Sequence, residues 1–306
     1  MKKNISIFAI ITLFSVLLLG CPTEGEDKKE TNNESQFNEQ EFFESIDQTN
    51  ITAINEVVEG FSSPIEMAAL MKDYNIPFSK DYMASTKVIG DYSTNIKKSI
   101  GLGILSADLG YLNVYEKKTS MIDYLLSINS LAQDLRVSQF FDFQTLKKLV
   151  TTSDNVDSLM FLSVNSYHQI DAYFRQTNRS HLSALSVTGV WLESLYLITQ
   201  VANDNEYKNF KDQIGSQKEL LEKLIVILKI YEGHPYFDSL LVEFTNLQTA
   251  FSGVTIETVK TEGKIEITGD IVVIYPDEET VVTVSDEDLQ KIINATEKAR
   301  NTIISL

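Results

Sequence analysis

The chain has 306 residues, of which 43% are apolar, and a formal net charge of −17. That acidic balance counts against direct binding to nucleic acid or adsorption to anionic lipid. Its single cysteine, Cys21, rules out a framework of internal disulfides.

Lys2 and Lys3 open the chain, and Ile5 to Leu19 is an uncharged apolar run. The run is too short for an ordinary spanning helix and has the length of a signal-peptide core. Leu18-Leu19-Gly20-Cys21 follows it and resembles the lipobox of a bacterial lipoprotein precursor. The resemblance implies removal of residues 1–20, which takes the net charge from −17 to −19. It also implies a diacylglyceryl group on the Cys21 sulfur and an acyl chain such as palmitate on the new amino end. Two or three acyl chains hold a protein firmly where one does not. Cys21 is then the lipid attachment point and the contact with the membrane. Pro22 in place of Asp implies the outer membrane. Glu24, Glu26 and Asp27 resemble the export tags of surface lipoproteins, although Gly25 interrupts them and Lys28-Lys29 follows.

Residues 21–36 read as a flexible acidic tether. They lack a large apolar residue and cannot enter a core. Such a segment spans on the order of 20 Å on average and roughly 50 Å when pulled straight. Residues 37–306 read as one mostly helical domain.

Helical spacing starts at Phe37 and continues through Phe42, Phe43, Ile46, Ala53, Ile54, Val57 and Val58. Ser63-Pro64-Ile65-Glu66 predicts a capped start for a helix that runs to about Tyr74 and stops before Pro77. A long helix is expected over about 84–117. Within it Gly103, Ala107 and Gly110 share a face, which predicts a close helix crossing in the core. Further helices are expected from about Ser120 to Arg136, after the cap Asp142, after Asp154 or Asn155, and from the cap Ser180 to about Ala202. The last of these carries one charge, Glu193, between Leu182 and Val201, and its Ser and Thr content marks it as a core helix, not a membrane span. Asn205 opens the next helix. Gly233-His234-Pro235 predicts a turn into a helix that runs to about Phe251.

The period then changes from about 3.6 to 2 over about 254–285, which predicts a small antiparallel β-meander. Ser285 with Asp288 predicts the cap of a final helix that reaches about Ile304. The fold class is therefore mainly α: an irregular multi-helix bundle or helix-pair stack, with the β element before the C-terminal helix. No repeat of fixed period is present.

No stretch spells out a chemistry. G-x-S-x-G, P-loop, G-x-G-x-x-G, H-E-x-x-H and calcium-loop patterns are absent from the sequence. No catalytic residue, metal ligand or cofactor is predicted. His168, His181 and His234 lie far apart along the chain. Asp108 and Glu193 are lone carboxylates in otherwise uncharged helical stretches and need a partner or a raised pKa. Arg175 and Arg179 stand at a helical spacing that suits an anionic group, or a carboxylate such as Glu193. Asp108, Arg175, Arg179 and Glu193 are therefore the candidate ligand or ion-pair site.

Gly103 to Tyr115 and Gly189 to Tyr196 resemble an uncharacterised family of helical lipoproteins of Bacteroidota-like bacteria. The resemblance implies no activity. A lipid-anchored envelope protein with a non-enzymatic binding or assembly role is the first expectation. A small-molecule binder with a pocket between helices is the second, and a hydrolase of envelope polymers built on the paired carboxylates is the third.

Overall fold

The fold is described from a computed structural model over residues 37–46, 71–72, 75–152, 156–203, 210–260, 263–268, 271–275 and 278–306. The expectations for the leader, Cys21, the tether, the helix starting at Ser63 and the opening at Asn205 lie outside these residues. Asn38–Leu306 forms one unit, and the account below concerns it.

Ten α-helices occur among the described residues. α1 is Glu39–Ser45, α2 Thr86–Gly90, α3 Asn95–Val114, α4 Lys118–Asp134 and α5 Phe143–Thr152. α6 is Val156–Gln176, α7 Ser180–Asn203, α8 Lys211–Lys229, α9 Pro235–Ala250 and α10 Asp286–Ser305. The fold is mainly α, as the sequence predicts.

The core is the crossing of α3 and α7. At Gly103 an added Cβ would lie 2.0 Å from the Ser186 carbonyl oxygen, and at Gly189 it would lie 2.2 Å from that of Ile100. The two backbones therefore touch, and only glycine fits at either point. Serines seal the seam. Ser99 Oγ donates to the Leu182 carbonyl at 2.6 Å, and Ser186 Oγ donates to the Ser99 carbonyl at 3.0 Å. α7 is apolar on nearly all sides because neighbours cover it on all sides. It is long and apolar enough to cross a membrane, yet 94% of its most apolar stretch is buried inside the protein. Trp191 is fully buried there, and its Nε1 donates to Gln217 Oε1 of α8 at 3.2 Å.

Local signals set the helix ends. Asp142 Oδ1 accepts the Thr145 N–H at 3.0 Å, and Ser285 Oγ accepts the Asp288 N–H at 3.0 Å. His234 caps α9, with Pro235 in its first turn. One boundary departs from the sequence reading. The helix expected over 84–117 is split into α2 and α3, because Thr94 accepts the Lys97 N–H and starts a helix of its own.

The β element precedes α10. Its four strands are β1 Thr255–Lys260, β2 Lys264–Thr268, β3 Ile271–Tyr275 and β4 Glu278–Thr283. They nest in place of pairing side by side in chain order. β2 pairs with β3, and β1 pairs with β4, from Thr255 opposite Thr283 to Lys260 opposite Glu278. The base of the β1–β4 ladder sits on α8, where an added Gly215 Cβ would lie 2.5 Å from Val282 and 2.6 Å from Val284. Lys218 Nζ donates to the Val254 carbonyl at 2.6 Å beside it. Away from this base β1 and β4 are exposed.

Candidate functional site

Asp108 on α3 and Glu193 on α7 stand just beyond the glycine crossing. The close approach of the two backbones brings the carboxylates together. Both side chains are 0% exposed. α10 brings the cation. Arg300 Nη2 donates to Glu193 Oε1 at 2.8 Å, and Arg300 Nε donates to Oε2 at 3.0 Å. This is the bidentate fork in which guanidinium and carboxylate match best. The guanidinium also lies 4.3 Å from the centre of the Tyr196 ring and donates to the Tyr82 carbonyl at 3.4 Å.

Asp108 Oδ2 accepts the Ala84 N–H at 2.9 Å, and Tyr124 Oη donates to the Ala84 carbonyl at 2.6 Å. The connection ahead of α2 is thus fastened at both backbone groups of one residue. Asp108 Oδ1 is buried and receives no N–H or side-chain donor among the described residues. Burial and the adjoining Glu193 charge hold the Asp108 carboxyl well above the usual range. Burial pushes Glu193 up as well, but Arg300 opposes it. Both directions favour the protonated form at Asp108, beside the Glu193 carboxylate that Arg300 pairs with. The result is a chain of Asp108-H, Glu193⁻ and Arg300⁺ with one paired charge of each sign.

Arg175 and Arg179 make their contacts elsewhere. α6 ends at Gln176, and Asn178 takes a left-handed φ of 56°, so Arg179 lies beyond the helix and does not share a helix face with Arg175. Arg175 pairs with the buried Asp171 of its own helix. Ser183 Oγ donates to the other Asp171 oxygen at 2.6 Å. Arg179 Nη1 donates to the Leu135 carbonyl at 3.0 Å, and its guanidinium lies over the Tyr173 and Phe174 rings. The four sequence candidates thus fall into an Asp108–Glu193 cluster and a separate region around Asp171 and Leu135.

Sequence reasoning missed Arg300 and the pairing of Asp171 with Arg175. The signal for Arg300 is an arginine on a stripe that carries Ile292, Ile293, Thr296, Ala299 and Ile303, all buried. His168 is exposed. His181 and His234, far apart in sequence, meet across one aromatic ring. Phe43 of α1 stacks on His181 with centroids 3.6 Å apart and planes 7° apart. On His234 the values are 5.1 Å and 25°. Burial, then the nearby His234 and Arg179, push the His181 imidazole down to about 3. Burial also lowers His234, against the pull of Glu39 and Asp238. Among the described residues no group of three or more His, Cys, Asp or Glu is placed to hold a metal ion.

No family model, no curated protein and no solved structure matches the chain.

Proposed function

We propose that the chain is a lipid-anchored cell-envelope protein, held through Cys21 in the outer membrane, with a non-enzymatic binding or assembly role. The anchor rests on Lys2, Lys3, the apolar run Ile5–Leu19 and Gly20-Cys21. The observation that carries the binding role is the β ribbon. Isolated two-stranded sheets are marginal in water. Here β1 and β4 pair only with each other among the described residues, and Val259 and Val281 are 37% and 40% exposed. Free strand edges and exposed aliphatic residues suit a protein partner that adds a strand or covers a face.

The carboxylate pair does not favour the hydrolase reading. Asp108 and Glu193 are both buried, and Glu193 is taken up by Arg300. Arg175 and Arg179 are engaged away from that pair, which removes the motivation for a pocket shared by all four.

The test is isolation of the lipidated chain from native membranes in mild detergent. A partner in stoichiometric amount is expected, and a V259K/V281K variant should lose it while still folding. A Cys21→Ser chain should leave the membrane fraction. Recovery of both wild type and variant as a free monomer would sink the binding role. Membrane retention of Cys21→Ser would sink the anchor.

A further inference from the structure

The β1–β4 ribbon has two faces of different character. In an antiparallel pair, directly opposed residues share a face, and so does every second residue along a strand. Val254, Ile256, Val282 and Val284 share one face. Val254 and Val284 are buried, and Ile256 and Val282 are half-buried. Val254, Val282 and Val284 all lie beside Gly215 of α8. This inner face holds the ribbon to the bundle.

The outer face carries Thr255, Glu257, Val259, Glu279, Val281 and Thr283, and all six are exposed. Glu257 stands opposite Val281, and Val259 stands opposite Glu279. The four form a square with valines on one diagonal and carboxylates on the other. Diagonal neighbours in such a pair lie roughly 7 Å apart, so a single partner surface can meet all four. A strand face turned to water is normally polar. The two valines stand on the face turned from α8, so attachment to the bundle does not account for them.

Charge is divided between the faces as well. On the inner face Lys260 stands opposite Glu278, and the two charges offset each other. The outer face has two carboxylates and no cation among its six residues.

Two occupants fit this face poorly. A second copy laid face to face would set carboxylates against carboxylates. An anionic membrane is repelled by the same pair, and the ribbon stands at the far end of the bundle from the proposed anchor. The chain enters the folded unit at α1, where Phe43 stacks on His181 and lies 6.1 Å from the Tyr231 ring. Tyr231 follows the end of α8, whereas Gly215, near its start, touches the ribbon. α9 begins at Pro235 beside that entry and ends at Ala250, shortly before β1. Its 16 residues span about 24 Å.

We infer that the outer face of the β1–β4 ribbon docks a protein surface whose aliphatic side chains are flanked by lysine or arginine, at the end of the bundle remote from the anchor. The inference rests on the binding role proposed above and gives its partner a chemistry.

Isolation of the lipidated full-length chain in mild detergent, repeated with charge variants, tests it. The partner held by wild type should be lost by E257K/E279K. E257Q/E279Q should bind it about tenfold less tightly at low salt, and the difference should shrink as salt is added. Changing the facing lysines or arginines of that partner to glutamate should restore binding of E257K/E279K. All the substituted residues are exposed, so the unfolding midpoints of both variants should match that of wild type. A partner lost by V259K/V281K yet kept by E257K/E279K overturns the acidic face and leaves the binding role standing. Co-purification of two differently tagged copies of this chain, in place of another protein, overturns the choice of occupant. Flotation of the Cys21→Ser chain with phosphatidylglycerol vesicles, abolished by V259S/V281S, overturns it in favour of lipid. Recovery of wild type as a free monomer overturns the binding role and this inference together.

Discussion

Arg300 donates to both carboxylate oxygens of Glu193, a residue 107 positions earlier in the chain. Their fork closes the core on the side of the last helix. Removing one partner of a buried pair costs about 3–5 kcal/mol, because the other charge is left without compensation. Arg300→Met and Glu193→Gln should each lose about that much in denaturant unfolding. Asp108→Asn should lose only about 1 kcal/mol. An amide keeps the acceptor for Ala84 N–H and supplies a donor to Glu193, as the protonated acid does. Equal losses in all three variants would show that Asp108 is ionised.

The same proton gives a pH signature. The folded pKa of Asp108 lies above its ordinary value of 3.8. Between those two values the folded chain holds a proton that the unfolded chain has released. The stabilisation is complete below about pH 3.8 and is lost as pH rises towards the folded pKa, with a slope of up to about 1.4 kcal/mol per pH unit. Stability measured against pH should therefore fall in wild type relative to Asp108→Asn above about pH 4. Parallel curves would refute the assignment.

His181 acts with the opposite sign. Its folded pKa is pushed from 6.5 to about 3. The unfolded chain binds the extra proton in that window, so stability is lost as pH falls from about 6.5 towards about 3. His181→Phe keeps a flat ring against Phe43 and removes the titration. Its stability should depend less on pH across that window than that of wild type. The charged groups that surround the site, Arg179, Glu39 and Asp238, are unchanged in both chains, and His234 remains to titrate.

The helix crossing makes a steric prediction. Gly103→Ala and Gly189→Ala place a methyl group against backbone atoms that cannot rotate away. Each should cost about 1–3 kcal/mol or more. Gly90→Ala is the control. Nothing lies within 4 Å of its Cβ position, so the change should be neutral or gain up to about 1 kcal/mol through helix propensity. Thermal unfolding of the three variants separates the two causes.

Where the causes are local, the sequence could be read. Ser285, Asp142 and the Gly233-His234-Pro235 turn act within a few residues, and the structure places them as their spacing predicts. Gly103 could be read as a crossing point because a glycine within a helix costs stability unless something approaches it. Asp108 and Glu193 stood out because a charge in an apolar helix needs an explanation. Their shared partner did not, since no spacing rule reaches from residue 193 to residue 300. Arg175 and Arg179 were misplaced on one helix face for a related reason. Four positions apart looks helical, but Asn178 adopts the left-handed conformation and turns the chain between them. The nested ladders depend on which strand edges meet, which alternation alone does not specify.

The buried triad also orders events in time. A ribosome makes α3 and α7 long before α10, and domains assemble from the parts already present. Until residue 300 emerges, Glu193 lacks the cation that pairs with it, and Asp108 has the Ala84 N–H and Glu193 beside it. Closing α3 on α7 at that stage would bury Glu193 without its cation and favour uptake of a proton by its carboxyl. The Tyr92 hydroxyl, which donates to the Ile304 carbonyl, waits even longer for its acceptor. The buried triad is therefore complete only when nearly all of the chain has been synthesised.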